Sequence, residues 1–333
     1  MRQTGLCHVR RAILCHNTPI DIRVFLIIMI DRSLQDLQAW VDYFIAADIP
    51  VLRHTMQELD RCRASADRVS ARLLAGIILH DPLMTLRVMV YLAKHRRQRQ
   101  TTDITTIDRA IMMIGVEPFF RDFQHLPLVE EQLKTHPQAM LGLIKVANRS
   151  WRAAQWARDW ALVRHDLDVD EITVAALLHD LDEMLMWSFA PSLAIQVRDM
   201  QNKDRELRSA AAQTAVYGVA LSDLQLELAK AWQLPDLLIM LMDPHHADHP
   251  RVRNVLLAVD VARHSAKGWD NPALPDDFSA TCSLLRIGYE QLIRRLGVDE
   301  ETAEMLLQRQ EPSSEEGESN EDSVAEDASK DAP

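Results

Sequence analysis

Apolar residues return every three to four positions along most of the chain, and almost nowhere do they alternate with polar ones. That period predicts helices rather than strands. Start and stop signals sit at the expected places. Ser33 is placed to cap "LQDLQAWVDYFIAA". Thr105 precedes "TIDRAIMMI", with Asp108 three residues on and Gly115 where the helix should stop. Asp170 stands before "EITVAALLHDL", and Ser222 with Gln225 reads as a capping box opening "DLQLELAKAW". Gly297 separates "YEQLIRRL" from a last helix, "EETAEMLLQR". Pro50, Pro82, Pro127 and Pro235 mark helix starts or connections. With only 9 glycines, and no Asn-Gly, Asp-Gly or Gly-Gly pair, the chain lacks hairpin signals. No fixed-period repeat, G-x-G-x-x-G or P-loop is present. The fold class expected is all-α, built from many short helices.

Length and charge then divide the chain. At 333 residues, 47% of them apolar, it can bury a large core. Its net charge of -12 is unevenly placed: residues 310–333 hold nine acids against one lysine. Such a tail has almost nothing to bury and is expected to be disordered and solvating. The remainder is only mildly acidic, so electrostatic nucleic-acid binding is not expected. Cys7, Cys15, Cys62 and Cys282 are scattered without a C-x-x-C spacing, which argues against a disulfide framework or structural zinc and fits a reducing cytoplasm. "VFLIIMI", Val24 to Ile30, falls far short of the ~20 apolar residues that span a bilayer. It also lacks the flanks of a signal peptide. Residues 1–33 are expected to be a poorly ordered extension, with Met29 a second candidate start.

One stretch carries chemistry. In "EITVAALLHDLDEM", Ile172, Ala175 or Ala176, and His179 share a helical face, so His179 points inward beside Asp180. Imidazole and carboxylate together suit Fe, Mn or Zn, and a metal keeping an open position can generate hydroxide for attack on a phosphate ester.

The order of several segments resembles the HDOD family, the HD-related output domain of bacterial signalling proteins, from about Leu34 to about Leu307. These are "DIPVLRHTMQELDRC", then "GIILHDPLMTLRVMVYLAK" with Asp81-Pro82-Leu83, then "TIDRAIMMIG". "AALLHDLDEML", "AWQLP" and "LLAVDVARHSA" follow. One departure is "AKHRR", where the family often has Asn-Ser. Much of the matched pattern reads as packing. Asp81 caps a helix that Pro82 opens, Trp232 and Pro235 end one helix and start another, and Trp156 and Trp160 lie one turn apart and bury together.

The resemblance implies a site in related catalytic HD enzymes made of a first His, the His-Asp pair and a distant Asp. Here His179 and Asp180 match the pair, and Asp260 matches the distant Asp. His245, His246 and His249 in "DPHHADH" lie where a phosphodiesterase branch has a His pair, but the Gly-Tyr-Pro loop of that branch is missing. Thirty residues before His179, where the first His should stand, is Arg149. A guanidinium has no lone pair for a metal and adds a fixed positive charge. His165 is the nearest replacement, in a polar connection expected at the surface. Asp182 and Glu183 occupy the positions of a Gly and a Lys, so a phosphate-gripping charge is gone.

The expectation is a dead metal site in which Arg149 pairs with Asp180 or Asp260 and His179 joins a polar network. No cofactor is expected; a metal, if bound, would be Fe, Mn or Zn on His179, Asp180, His245, His246 and Asp260. Two lobes are expected, 34–145 and an HD-like 146–309. The implied role is a cytoplasmic, non-catalytic signalling module or scaffold contacting signalling proteins in trans. Its basic run Lys94–Gln100 and the acidic tail are candidate surfaces, and no membrane is involved. Two alternatives remain: a metal-dependent phosphohydrolase or cyclic-dinucleotide phosphodiesterase, and a sensor of a nucleotide or small anion.

Overall fold

The computed structural model describes residues 29–64, 69–95, 104–204 and 207–309. The chain runs through α1 (Leu37–Ala46), α2 (Arg53–Ala64), α3 (Ala71–Ile78), α4 (Pro82–Lys94), α5 (Ile107–Ile114), α6 (Val116–Asp122) and α7 (Val129–Gln132). The 27-residue α8 (Pro137–Val163) follows, then α9 (Val169–Leu178), α10 (Leu181–Phe189), α11 (Pro191–Lys203), α12 (Ser209–Tyr217), α13 (Leu221–Ala231) and α14 (Asp236–Met242). A 3₁₀ turn (Pro244–His246) leads to α15 (Pro250–His264), α16 (Leu274–Leu285), α17 (Tyr289–Leu296) and α18 (Glu300–Gln308). Among the described residues there is no strand, only isolated bridges such as the one joining Val51 to Leu128.

The Asp-Pro pair is the hinge of the first half. Pro82 opens α4, and Asp81 is wholly buried ahead of it. Its Oδ1 accepts the N–H groups of Leu83 (3.0 Å) and Met84 (3.1 Å), which caps the helix. Its Oδ2 accepts the Leu52 N–H and the Thr55 hydroxyl, both at 2.9 Å. One carboxylate therefore starts α4 and ties it to the segment that opens α2.

Around α8 the second half is layered: α9, α10 and α15 all pack against it. Trp156 and Trp160 are both buried, and the Trp156 indole donates to the Leu296 carbonyl at 3.1 Å. α10 approaches α8 closely at Gly142, where an added Cβ would sit 2.7 Å from the Trp187 ring.

Several boundaries differ from the expected ones. The division at 145/146 falls inside α8, which runs unbroken through it. α1 packs on α13, and its Trp40 and Phe44 stack among Tyr217 and Phe189, so this N-terminal helix is built into the second half. Residues 29–33 are likewise held: Ile30 is buried and donates its N–H to the Phe189 carbonyl at 2.8 Å. Ser33 donates to the Tyr217 carbonyl (2.6 Å), and Asp36 caps α1 in its place. Thr106 rather than Thr105 precedes α5, and Thr105 bonds Glu171 at 2.7 Å instead. α9 begins at Val169, ahead of Asp170, which pairs with Arg158. α13 begins at Leu221 with no side-chain cap, and Gln225 is buried against Met242. In each case the polar side chain found a tertiary partner, which a local pattern does not reveal. Gly115 and Gly297 do end helices with positive φ, 87° and 65°. Residues 1–28 of the expected extension, the acidic tail from 310 and residues 96–100 of the basic run lie outside the described residues.

Asp81→Ala is expected to lower the free energy of unfolding by about 3 kcal/mol, since it removes a cap and strands two further donors. A urea titration checks this. Gly142→Ala sets a helix-propensity gain of about 1 kcal/mol against the clash with buried Trp187. The clash should win, leaving the variant about 1–3 kcal/mol less stable in the same measurement.

Candidate functional site

His179 and Asp180 occupy the break between two helices: His179 is the C-cap of α9 and Asp180 the N-cap of α10. The break lies against α8 and α15, which deliver cations to it. From α8, Arg149 donates Nε to Asp180 Oδ2 at 2.8 Å, and its Nη2 reaches the same oxygen at 2.5 Å. That Nη2 also donates to Glu183 Oε2 at 2.8 Å. From α15, Arg263 donates Nη2 to Asp180 Oδ1 at 2.9 Å. The His179 Nδ1 lies 3.3 Å from the same Oδ1. Both oxygens of Asp180 are thus taken by guanidinium groups.

Burial makes this pairing necessary. The side chain of Asp180 is 6% exposed and that of Arg149 13%. Burial alone would raise the Asp180 pKa, but the charges of Arg149 and then Arg263 outweigh it and hold the carboxyl well below its ordinary value. Asp182, two residues on, shows the opposite case. It is buried, accepts among the described residues only the Glu183 N–H at 2.7 Å, and has its pKa pushed well above the usual range by burial and by the charge of Asp180.

The other expected site residues divide sharply. Asp260 faces the cluster from α15, 3.8 Å from Arg263, its side chain 41% exposed. His245 and His246 do not join it. Both are exposed on the 3₁₀ turn and turn their Nδ1 atoms to Asp243, at 2.8 Å and 3.1 Å. His249 is the exposed N-cap of α15, accepting from the Arg251 N–H. His165 is exposed, with φ 57°, so it fills no ligand position. The expected set of His179, Asp180, His245, His246 and Asp260 is therefore not assembled. Among the described residues no three His, Cys, Asp or Glu side chains converge in a way that could hold a metal ion.

Sequence reasoning missed Arg263, which completes the cluster. The signal was present: it lies one turn beyond Asp260, on the same inward helix. Glu183 was read only as a lost lysine, and it is a second acceptor for Arg149. Arg152, one turn from Arg149, lies with its guanidinium 5.4 Å from the Trp156 ring centre, and its buried Nε has no partner among the described residues.

A family model for the HDOD domain matches residues 49–248, well over half of the chain. The chain belongs to the HDOD family. None of the curated proteins compared with it matches. Among solved structures, this HDOD protein is similar to the MmoQ response regulator of Methylococcus capsulatus. The TM-score is 0.56 at 18% identity, covering 77% of this chain and 100% of the other. It is also similar to a virulence factor of Campylobacter jejuni, with TM-score 0.57 and 19% identity over 82% and 99% of the two chains. At these identities the likeness is one of fold. No helix of the HDOD protein, among the described residues, is long and apolar enough to cross a membrane.

Arg149→Met is expected to cost about 3–5 kcal/mol at neutral pH, because it leaves buried Asp180 and half-buried Glu183 without their main cation. The Asp180 carboxyl is depressed in the folded state, so its contribution is present above the unfolded value of about 3.9 and lost as pH falls toward the folded value. The stability gap between the variant and the native protein should therefore narrow below about pH 4, as read from denaturant titrations at several pH values.

Proposed function

We propose that this HDOD protein is a non-catalytic signal-transduction module that acts through contacts with other proteins, its ancestral metal position filled by an arginine–carboxylate cluster. The observation that carries the reading is Arg149 donating through two nitrogens to Asp180. A carboxylate engaged on both oxygens by guanidinium groups has its lone pairs turned to N–H donors rather than to a cation, and a guanidinium offers a metal no lone pair. Fe, Mn or Zn would need several neutral imidazoles and carboxylates on one point. The donors present do not fit that need, because His245 and His246 are turned to Asp243. Donors so arranged support no hydrolytic step.

The anion-sensor alternative draws less support. Arg149 and Arg263 are already paired with Asp180 and Glu183, which balance their charge within the cluster. The signalling role rests on family membership and on the name of one fold relative, a response regulator. Cytoplasmic partners acting in trans are the setting this reading implies.

After incubation with Mn, Fe(II) or Zn and desalting, elemental analysis should find well under one metal ion per chain. With added Mn, p-nitrophenyl phosphate should not be turned over faster than by His179→Ala. Two tightly held metals, or activity that vanishes in His179→Ala, would overturn the proposal.

A further inference from the structure

Exposed apolar side chains stand on the neighbouring helices α3 and α5 and at Trp151 of α8. Leu73 on α3 is 46% exposed, Met112 and Met113 on α5 are 62% and 53% exposed, and Trp151 on α8 is 36% exposed. Contacts join these elements. α3 and α5 pack together, and His80, just past α3, stacks on Trp151 with ring centres 5.4 Å apart. The His80 Nδ1 donates to the Gly76 carbonyl at 2.7 Å, which fixes the ring against the end of α3. Between Leu73 and His80, on the same outer face of α3, lies Gly76, where an added Cβ would meet nothing within 4 Å.

Each apolar element also carries a free cation. Arg72, Arg109 and Lys145 are exposed on α3, α5 and α8 and form no ion pair with any described residue. Some arginines elsewhere are paired, as at Arg158–Asp170 and Arg295–Asp159, while the exposed Arg208, Arg253 and Arg286 also form no ion pair with a described residue. Flexible, polarisable methionines and an exposed tryptophan are common anchors at binding surfaces. A fringe of unpaired positive charge selects an acidic partner and speeds its arrival.

We propose that the α3–α5 face, with Trp151 at its edge, docks an acidic amphipathic helix of a partner protein. Apolar side chains of that helix cover Leu73, Met112 and Met113, and its carboxylates meet Arg72, Arg109 and Lys145. The open position at Gly76 lets the partner's backbone come close. This deepens the reading of a contact-based module and rests on it.

The test uses the full chain and two labelled synthetic helical peptides with leucines at one helical face. One has glutamates at all outward positions and the other lysines. Fluorescence anisotropy should show the glutamate peptide binding about tenfold more tightly than the lysine peptide, and weakening with salt. Met112→Asp with Met113→Asp should lose about tenfold for the glutamate peptide. Arg72→Glu with Arg109→Glu, both at exposed positions, should reverse the preference between peptides. Urea midpoints matching the native protein show that the variants fold. No binding, equal binding of both peptides, or unchanged binding by the methionine variant would overturn the proposal. So would a self-association by sedimentation that the methionine variant abolishes, since a second copy would then own the face. Each of these outcomes leaves the metal and turnover measurements standing, so it counts against the surface and not against the non-catalytic reading.

Discussion

A carboxylate taken out of water must be met by charge, and in this protein Asp180 is met twice. Its position between α9 and α10 places it where α8 and α15 both press in, at 6% exposure. An isolated buried carboxylate would shift its pKa and neutralise. Arg149 and Arg263 prevent that and keep it ionised. The pairing also joins three layers of the second half, because one residue receives donors from α8 and α15 while capping neither. Asp182 shows what the same environment does without a guanidinium bonded to it: its carboxyl is driven toward the neutral form.

On the reading proposed above, that arrangement excludes a chemistry rather than performs one. A metal hydrolase site needs lone pairs converging on an open point. Here the same backbone positions carry donors. The fold retains the helix break and the inward His-Asp pair, and the pair serves as a polar joint. A family fold does not fix its chemistry, which follows from the particular side chains grafted on it. The first half shows a second carboxylate used in the same structural way. Asp81, wholly buried, caps α4 and holds the start of α2 through four hydrogen bonds. Both acids anchor the architecture.

The exposed methionines, Trp151 and unpaired cations of α3, α5 and α8 contrast with α17, whose Arg294 and Arg295 are paired with Glu290 and Asp159. A module that signals by contact needs such a face and does not need a cleft. The small cavity between α10 and α13, about 10 Å³ and lined by Leu181, Asp182, Gln225 and Leu228, has room for roughly one water.

The sequence by itself determined the helical class, the Asp81 cap, the glycine stops and the inward aim of His179, because each depends on spacing within one turn or one heptad. It also placed Arg149 where a ligand was wanted, since a residue type at a fixed offset needs no coordinates. Only the tertiary structure decided which acid that arginine serves, that Arg263 serves it too, and that His245 and His246 turn away to Asp243. It likewise decided that α1 belongs with α13, and that Ser33, Thr105 and Gln225 leave their local capping roles. The physical reason is common to all of these. A hydrogen bond or ion pair is made with whatever partner packing brings within about 3 Å, and partners distant along the chain leave no local periodicity to read.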